Sequence, residues 1–291
     1  MDKQYFETVL KNFINTAPGN FVQKEIALRP ELGGMRIFDE PIFGYADAGD
    51  PYFRDLKKPG VIGDHVILPG TWLPEAKTVI SIFLPLTEQV KAANRANMNW
   101  PADEWLHARI EGQAFQNEIC RFGVTELEEA HFATVAPMIN SRFFSRTTPA
   151  QEDKKDLSPF TSNWSERHAA YACGLGTFGL SKGLITRRGM AGRFISLITQ
   201  APFEPDTRPY TGIYEYCVRC GACVRNCPAQ AISLEKGKSH PVCSAFLETT
   251  REKHRPRYGC GKCQVGVPCE NRIPAGSVRA AVKGPDMAPG L

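Results

Sequence analysis

The run Cys217-Val-Arg-Cys220-Gly-Ala-Cys223-Val-Arg-Asn-Cys227-Pro228 constrains this chain more than any other stretch. Closely spaced thiolates can wrap one corner of an iron–sulfur cube while backbone N–H groups turn towards its sulfides, and the fourth cysteine of such a run usually ligates a second cluster. A second set of thiols is then required, and Cys243, Cys260, Cys263 and Cys269 complete a count of eight. By the ferredoxin pattern, Cys217, Cys220, Cys223 and Cys269 hold one [4Fe–4S] cluster, and Cys227, Cys243, Cys260 and Cys263 hold the other. The later group is less regular, with a long first gap and a proline before Cys269 rather than after it. Zinc and disulfides are the alternatives. Zinc seldom uses a run of this spacing, and disulfide frameworks belong to small secreted chains.

With 291 residues, 42% of them apolar, the chain is able to build a real core in one large or two modest domains. No run approaches membrane-spanning length, and the opening Met-Asp-Lys-Gln-Tyr-Phe lacks a twin-arginine signal, so the expected setting is cytoplasmic, with no membrane partner. A net charge of +4 argues neither for nor against a polyanionic partner.

Three regions follow: an α/β unit at 1–205, a two-cluster ferredoxin-like region at 206–280 and a frayed tail at 281–291. Phe203 to Tyr210, rich in proline and charge, reads as the linker. Thr78 to Leu84 and Arg193 to Thr199 are apolar runs of strand length, each expected in the core. Apolar spacing predicts a helix from about Asp103 to Phe122, with Gly123 as its C-cap. Cys120 and Cys173 read as small buried hydrophobes.

Between these runs lies Asn163-Trp-Ser-Glu166-Arg167-His168-Ala-Ala-Tyr171-Ala-Cys-Gly174-Leu175-Gly176-Thr177-Phe-Gly179. Asn163 and Glu166 are spaced as a capping box, and Gly174 is placed to stop the helix. The glycines spell G-x-G-x-x-G, but after a helix and before a strand, the reverse of a dinucleotide site. They suit backbone lying close to something large and flat, or a close-packed turn.

The Glu-Arg-x-Ala-Ala-x-x-x-Gly-Leu-Gly segment, the later strand and the split cysteine motif, in this order, resemble the epoxyqueuosine reductase and reductive dehalogenase superfamily over roughly Val79 to Ile273. The resemblance implies a nitroreductase-like corrinoid-binding sandwich followed by a two-cluster ferredoxin-like domain. It also implies base-off cobalamin, with Gly174, Leu175, Gly176, Thr177 and Gly179 along its edge. Asp64-His65 does not extend to the Asp-x-His-x-x-Gly pattern of corrinoid proteins with a histidine lower ligand. The family aspartate ahead of Glu-Arg is missing from Phe160-Thr-Ser-Asn163, and no helical-repeat tRNA-binding segment follows the cysteines.

These features predict an oxidoreductase that passes electrons from two clusters through a corrinoid to a small organic substrate or corrinoid partner, fed by a ferredoxin or flavodoxin. The alternatives are an electron-transfer protein without catalysis of its own and a true tRNA epoxyqueuosine reductase, nucleic acid being the less favoured partner. The candidate acid–base residues are Asn163, His168 and Tyr171, each with a structural reading as cap, hydrogen-bonded surface group and core aromatic respectively. The basic run Arg251 to Arg257 is expected in a loop between Cys243 and Cys260, as a solvated face or a docking site for an acidic donor or RNA.

Overall fold

In the computed structural model, which describes residues 1–146 and 160–277, the two apolar runs pair with each other at the centre of a sheet. The expected tail at 281–291 lies outside the described residues. In chain order the elements are α1 (Lys3–Thr16), β1 (Ile42–Asp47), α2 (Pro51–Asp55), α3 (Pro69–Trp72), β2 (Thr78–Pro85), α4 (Glu88–Ala96) and α5 (Asp103–Glu129). There follow β3 (Thr134–Val135), β4 (Ser145–Arg146), β5 (Thr161–Ser162), α6 (Glu166–Ala172), β6 (Gly176–Phe178), β7 (Leu184–Thr186) and β8 (Gly192–Thr199). The cysteine region adds α7 (Ala222–Arg225), β9 (Ile232–Ser233), β10 (Gly237–Lys238) and α8 (His240–His254).

The main sheet is antiparallel throughout, in the order β1-β2-β8-β3, with Val79 opposite Ile198 and Phe83 opposite Phe194. Successive side chains of a strand point to opposite faces, and here both faces are apolar because both are covered. Ile80, Ile82, Ile195 and Leu197 pack with Phe6 and Leu10 of α1 and Phe115 and Ile119 of α5. Val79 and Ile198 face the other way, onto Phe53 of α2, Trp72 of α3 and Ala169 of α6. The result is a mixed α/β fold with helices on both sides of the sheet. Among the described residues no helix is long and apolar enough to cross a membrane.

Two local expectations are corrected. Gly123 does not cap α5, which runs through it to Glu129. A Cβ at Gly123 would lie 2.8 Å from Leu197 Cδ1, so the glycine brings the helix down onto β8. Asn163 does not cap α6, whose N-cap is Ser165. The Asn163 side chain instead accepts from Phe144 N and donates to Arg142 O, far away in sequence. The 203–210 stretch, read as the linker, runs strapped to the sheet. Phe203 is in the core, Asp206 exchanges hydrogen bonds with the backbone of Tyr45 on β1, and Arg208 pairs with Asp50 at 3.0 Å.

The end of α6 follows the expectation. Gly174, with φ of +78°, donates to Tyr171 O, and Leu175 donates to Ala170 O, the two bonds of a Schellman cap.

Gly123→Val is expected to lower the unfolding free energy by about 1–3 kcal/mol, because the branched side chain overpacks against Leu197. Denaturant unfolding checks this, and unchanged stability would show that the helix–sheet contact is loose.

Candidate cluster sites

The first thiol set is built where a short loop meets a returning arm. Cys217 and Cys220 lie on the loop into α7, which is entered through Gly221 in the left-handed region, and Cys223 lies in its first turn. Cys269 reaches them on the 266–271 arm, held by Met190 N donating to Cys269 O at 2.9 Å and by a contact of 3.2 Å between Cys269 Sγ and Met190 Sδ. All four cysteines line one small cavity, walled by Leu180, Ile185, Met190 and Val267 and bounded by Gly179. Burial, and then the neighbouring thiols, push Cys223 and Cys269 up to about 12. Such thiols stay protonated until a metal centre supplies the positive charge that makes thiolates favourable.

Cys227, Cys243, Cys260 and Cys263 gather beside it. Ala231 N donates to Cys227 Sγ at 3.3 Å, Cys243 lies on α8, and Asn94 Nδ2 donates to Cys260 O at 3.0 Å. Burial raises Cys260 to about 12 and raises Cys263 as well, and each also feels other members of the set. The two sets adjoin, since Cys263 contributes to the shift of Cys223. Among the described residues no three His, Cys, Asp or Glu side chains are grouped to hold a single metal ion. The first quartet instead encloses a space, an arrangement that fits a cluster.

The 260–263 turn depends on one close approach. Gly261 has φ of +69°, and a Cβ there would lie 1.8 Å from the Trp105 ring of α5. Lys262 follows it, fully buried, with Nζ donating to Asn94 O and Asn94 Oδ1 at 2.7 Å each. Nothing in the sequence marked this lysine, because the cysteine motif is read from spacing and says nothing about what its intervening residues bury.

The other candidates occupy more ordinary places. The glycine segment is closed by the chain itself: a Cβ at Gly176 would lie 1.9 Å from Ile185 O in the β6–β7 hairpin, and Gly176 N donates to Tyr210 Oη. Thr177 Oγ1 accepts from Tyr216 N, Leu175 is buried, and Gly179 borders the first thiol cavity. His168 is buried rather than on the surface, its Nδ1 2.9 Å from Tyr52 Oη and its ring against Phe178. The Tyr171 hydroxyl donates to Thr211 O at 3.2 Å. Cys120 and Cys173 are buried, as expected.

The basic run is only partly a loop. Arg251 to His254 form the last turn of α8, where cations suit the helix C-terminus. Arg251 pairs with Glu248 and lies over Tyr258, Lys253 lies over Trp100, and Arg257 is buried against Glu111. Much of this charge is therefore engaged within the chain. A second basic group, missed in the sequence because its members are far apart, lies near Cys263. Arg167 donates to Lys182 O, and Arg167, Lys182 and Lys238 act together on His240. Burial first, then these cations, lower His240 to about 3, and its Nε2 is buried without a hydrogen-bond partner.

Glu166, at the start of α6, keeps both carboxyl oxygens out of water. Burial raises it to about 7, against a smaller opposing pull from Ser196 and Trp164, which bond to each other at 2.9 Å.

Residues 210–233, which include Cys217 to Cys227, match the 4Fe-4S binding domain family. Over 119 residues the chain is 33% identical to the epoxyqueuosine reductase of Listeria monocytogenes serovar 1/2a, covering 37% of this chain and 30% of the relative. Over 111 residues it is 36% identical to a tetrachloroethene reductive dehalogenase of Desulfitobacterium hafniense, covering 36% of this chain and 20% of the relative. The chain is a homologue of both. The matches span less than a third of those curated relatives' own lengths. The fold agrees with that of epoxyqueuosine reductase from Streptococcus thermophilus, at a TM-score of 0.52 and 15% identity over 93% of this chain and 66% of that one. It also agrees with the catabolic reductive dehalogenase NpRdhA, at 0.50 and 14% over 81% and 31%.

Because the native Glu166 carboxyl binds its proton at higher pH than an unfolded one, its contribution to stability is full below the unfolded value of 4.5 and is lost as pH rises to about 7. The loss amounts to about 3 kcal/mol. Glu166→Gln removes it, so the stability of the native chain relative to this variant should fall between about pH 5 and about pH 8. A flat difference in unfolding free energy across that range would contradict the assignment.

Proposed function

We propose that this chain is an iron–sulfur reductase in which Cys217, Cys220, Cys223 and Cys269 hold one [4Fe–4S] cluster and Cys227, Cys243, Cys260 and Cys263 hold a second. The observation that carries the reading is the assembly of two adjoining thiol quartets, each completed by cysteines remote in sequence. When bound, the clusters supply one-electron transfer. The chain's own contribution is to hold the thiols in a largely apolar, half-buried setting and to expose one edge, at Cys220, to a ferredoxin or flavodoxin donor. Such clusters suit a reducing, cytoplasmic setting.

A corrinoid is the proposed second cofactor, and a solved reductive dehalogenase of similar fold is described as B12-dependent. The unpartnered His240 Nε2, with Arg167, Lys182 and Lys238 around it, fits a large polar group beside the second quartet. We assign the corrinoid contacts to these residues rather than to the glycine segment, whose inner face the hairpin fills. When bound, a corrinoid accepts single electrons and delivers them to a small organic substrate.

Of the three acid–base candidates, His168 is retained, because its hydrogen bond with Tyr52 joins two groups able to exchange a proton. Asn163 has its side chain committed to the backbone at 142 and 144, and the Tyr171 hydroxyl is committed to Thr211.

Protein purified anaerobically should hold about eight irons, four per cube, and Cys227→Ala should lose the second cluster while keeping the first. Paramagnetic spectra with iron analysis check this, and retention of both clusters would overturn the ligand assignment. Separately, optical titration with cobalamin should show base-off binding, weakened at least tenfold in Lys238→Met. A nitrogen-coordinated spectrum, or no binding, would remove the corrinoid from the proposal and leave the clusters standing.

A further inference from the structure

Lys262 is a lysine with no exposed surface, set between two proposed cluster ligands, and both of its hydrogen-bond acceptors are the neutral oxygens of Asn94. A buried ammonium is costly unless a negative charge lies near it. The adjoining thiol positions are where one would appear, because a cube held by four thiolates is a net anion that becomes more negative on reduction. The first set is built differently. Its cavity is walled by Leu180, Ile185, Met190, Val267 and Pro274, and its one lining cation, Arg219, is exposed and donates to Leu234 O. Backbone N–H groups reach sulfurs in both sets, at Cys223 and Cys269 in the first and from Ala231 to Cys227 Sγ in the second, so the buried lysine is what distinguishes them. Positive charge and hydrogen bonds at the sulfurs stabilise the reduced state of a cluster.

We propose that Lys262 is the fixed counter-charge of the second cluster and holds it at a higher reduction potential than the first, so that an electron received at the exposed Cys220 edge passes inwards. The proposal rests on the two-cluster reading. In the step, one electron leaves the reduced first cluster and reduces the oxidised second, and no bond is made or broken. An external low-potential one-electron donor starts the sequence. Lys262 is a positioning residue in this scheme, acting through charge, while the Asn94 side chain fixes where that charge sits.

The test is a potentiometric titration of the cluster-loaded protein with dithionite, followed by its paramagnetic signals. In Lys262→Met the higher of the two midpoints should fall by at least a tenfold change in its one-electron reduction constant, about 59 mV, while the lower stays in place. Lys262→Arg, which keeps the charge, should retain the native separation. If methionine prevents assembly of the second cluster, Asn94→Asp, which places a carboxylate on the ammonium, should lower the same midpoint. Unmoved midpoints in a variant shown by iron analysis to hold both clusters would overturn the proposal, as would a shift confined to the lower one. A native protein holding fewer than two clusters would instead overturn the reading beneath it.

Discussion

Both thiol sets depend on how the 260–271 arm is fastened to α4 and the sheet. Three of the eight cysteines lie on it, and each must stay within reach of partners more than thirty positions earlier in the chain. Ordering such a segment costs conformational entropy at every residue, so its contacts have to be distributed along it. Asn94 holds one end, donating to Cys260 O and accepting from Lys262. Arg95 pairs with Glu270, Lys91 Nζ donates to Asn271 Oδ1 at 2.6 Å, and Glu270 Oε2 accepts from Gly266 N. The same helix that packs on α5 thus presents the residues that anchor the cysteine arm, and the core of the α/β unit fixes the position of the thiols.

The features legible in the sequence were those set by local spacing. The first cysteine run needs only a tight loop and one turn of helix, so its meaning lies within eleven consecutive residues from Cys217 to Cys227. The two central strands were visible because both of their faces are covered, which removes the usual polar alternation. What an apolar run cannot tell is its neighbour or its direction, and the antiparallel pairing of β2 with β8 had to be seen.

The misreadings share one cause: residue types with a local use were engaged by distant partners. Gly123 stood where a helix cap was plausible, but its missing side chain serves Leu197 on another element. Asn163 had the right partner spacing for a capping box, yet its amide bonds to backbone about twenty positions earlier. His168 looked exposed because the hydroxyl that buries it, on Tyr52, lies 116 positions away. The basic run from Arg251 looked like a free surface because Glu111, Trp100 and Tyr258 could not be known to lie beneath it.

Charge shows the same difference between a total and a field. A net charge of +4 over 291 residues is mild, and as a composition it predicts nothing about the site. The fold nevertheless brings Arg167, Lys182 and Lys238 together and buries Lys262 between Cys260 and Cys263. Glu166, the acid one position before Arg167, is buried strongly enough to favour its neutral form in mildly acid conditions, so it offsets little of that charge there. Coulomb interactions strengthen as the surroundings become drier, so a few buried or half-buried cations act on neighbouring thiols more strongly than many solvated ones. Cationic side chains drawn from α6, the segment after β6 and β10 therefore converge on the second quartet, and the electrostatic bias of the site arises from topology rather than from composition.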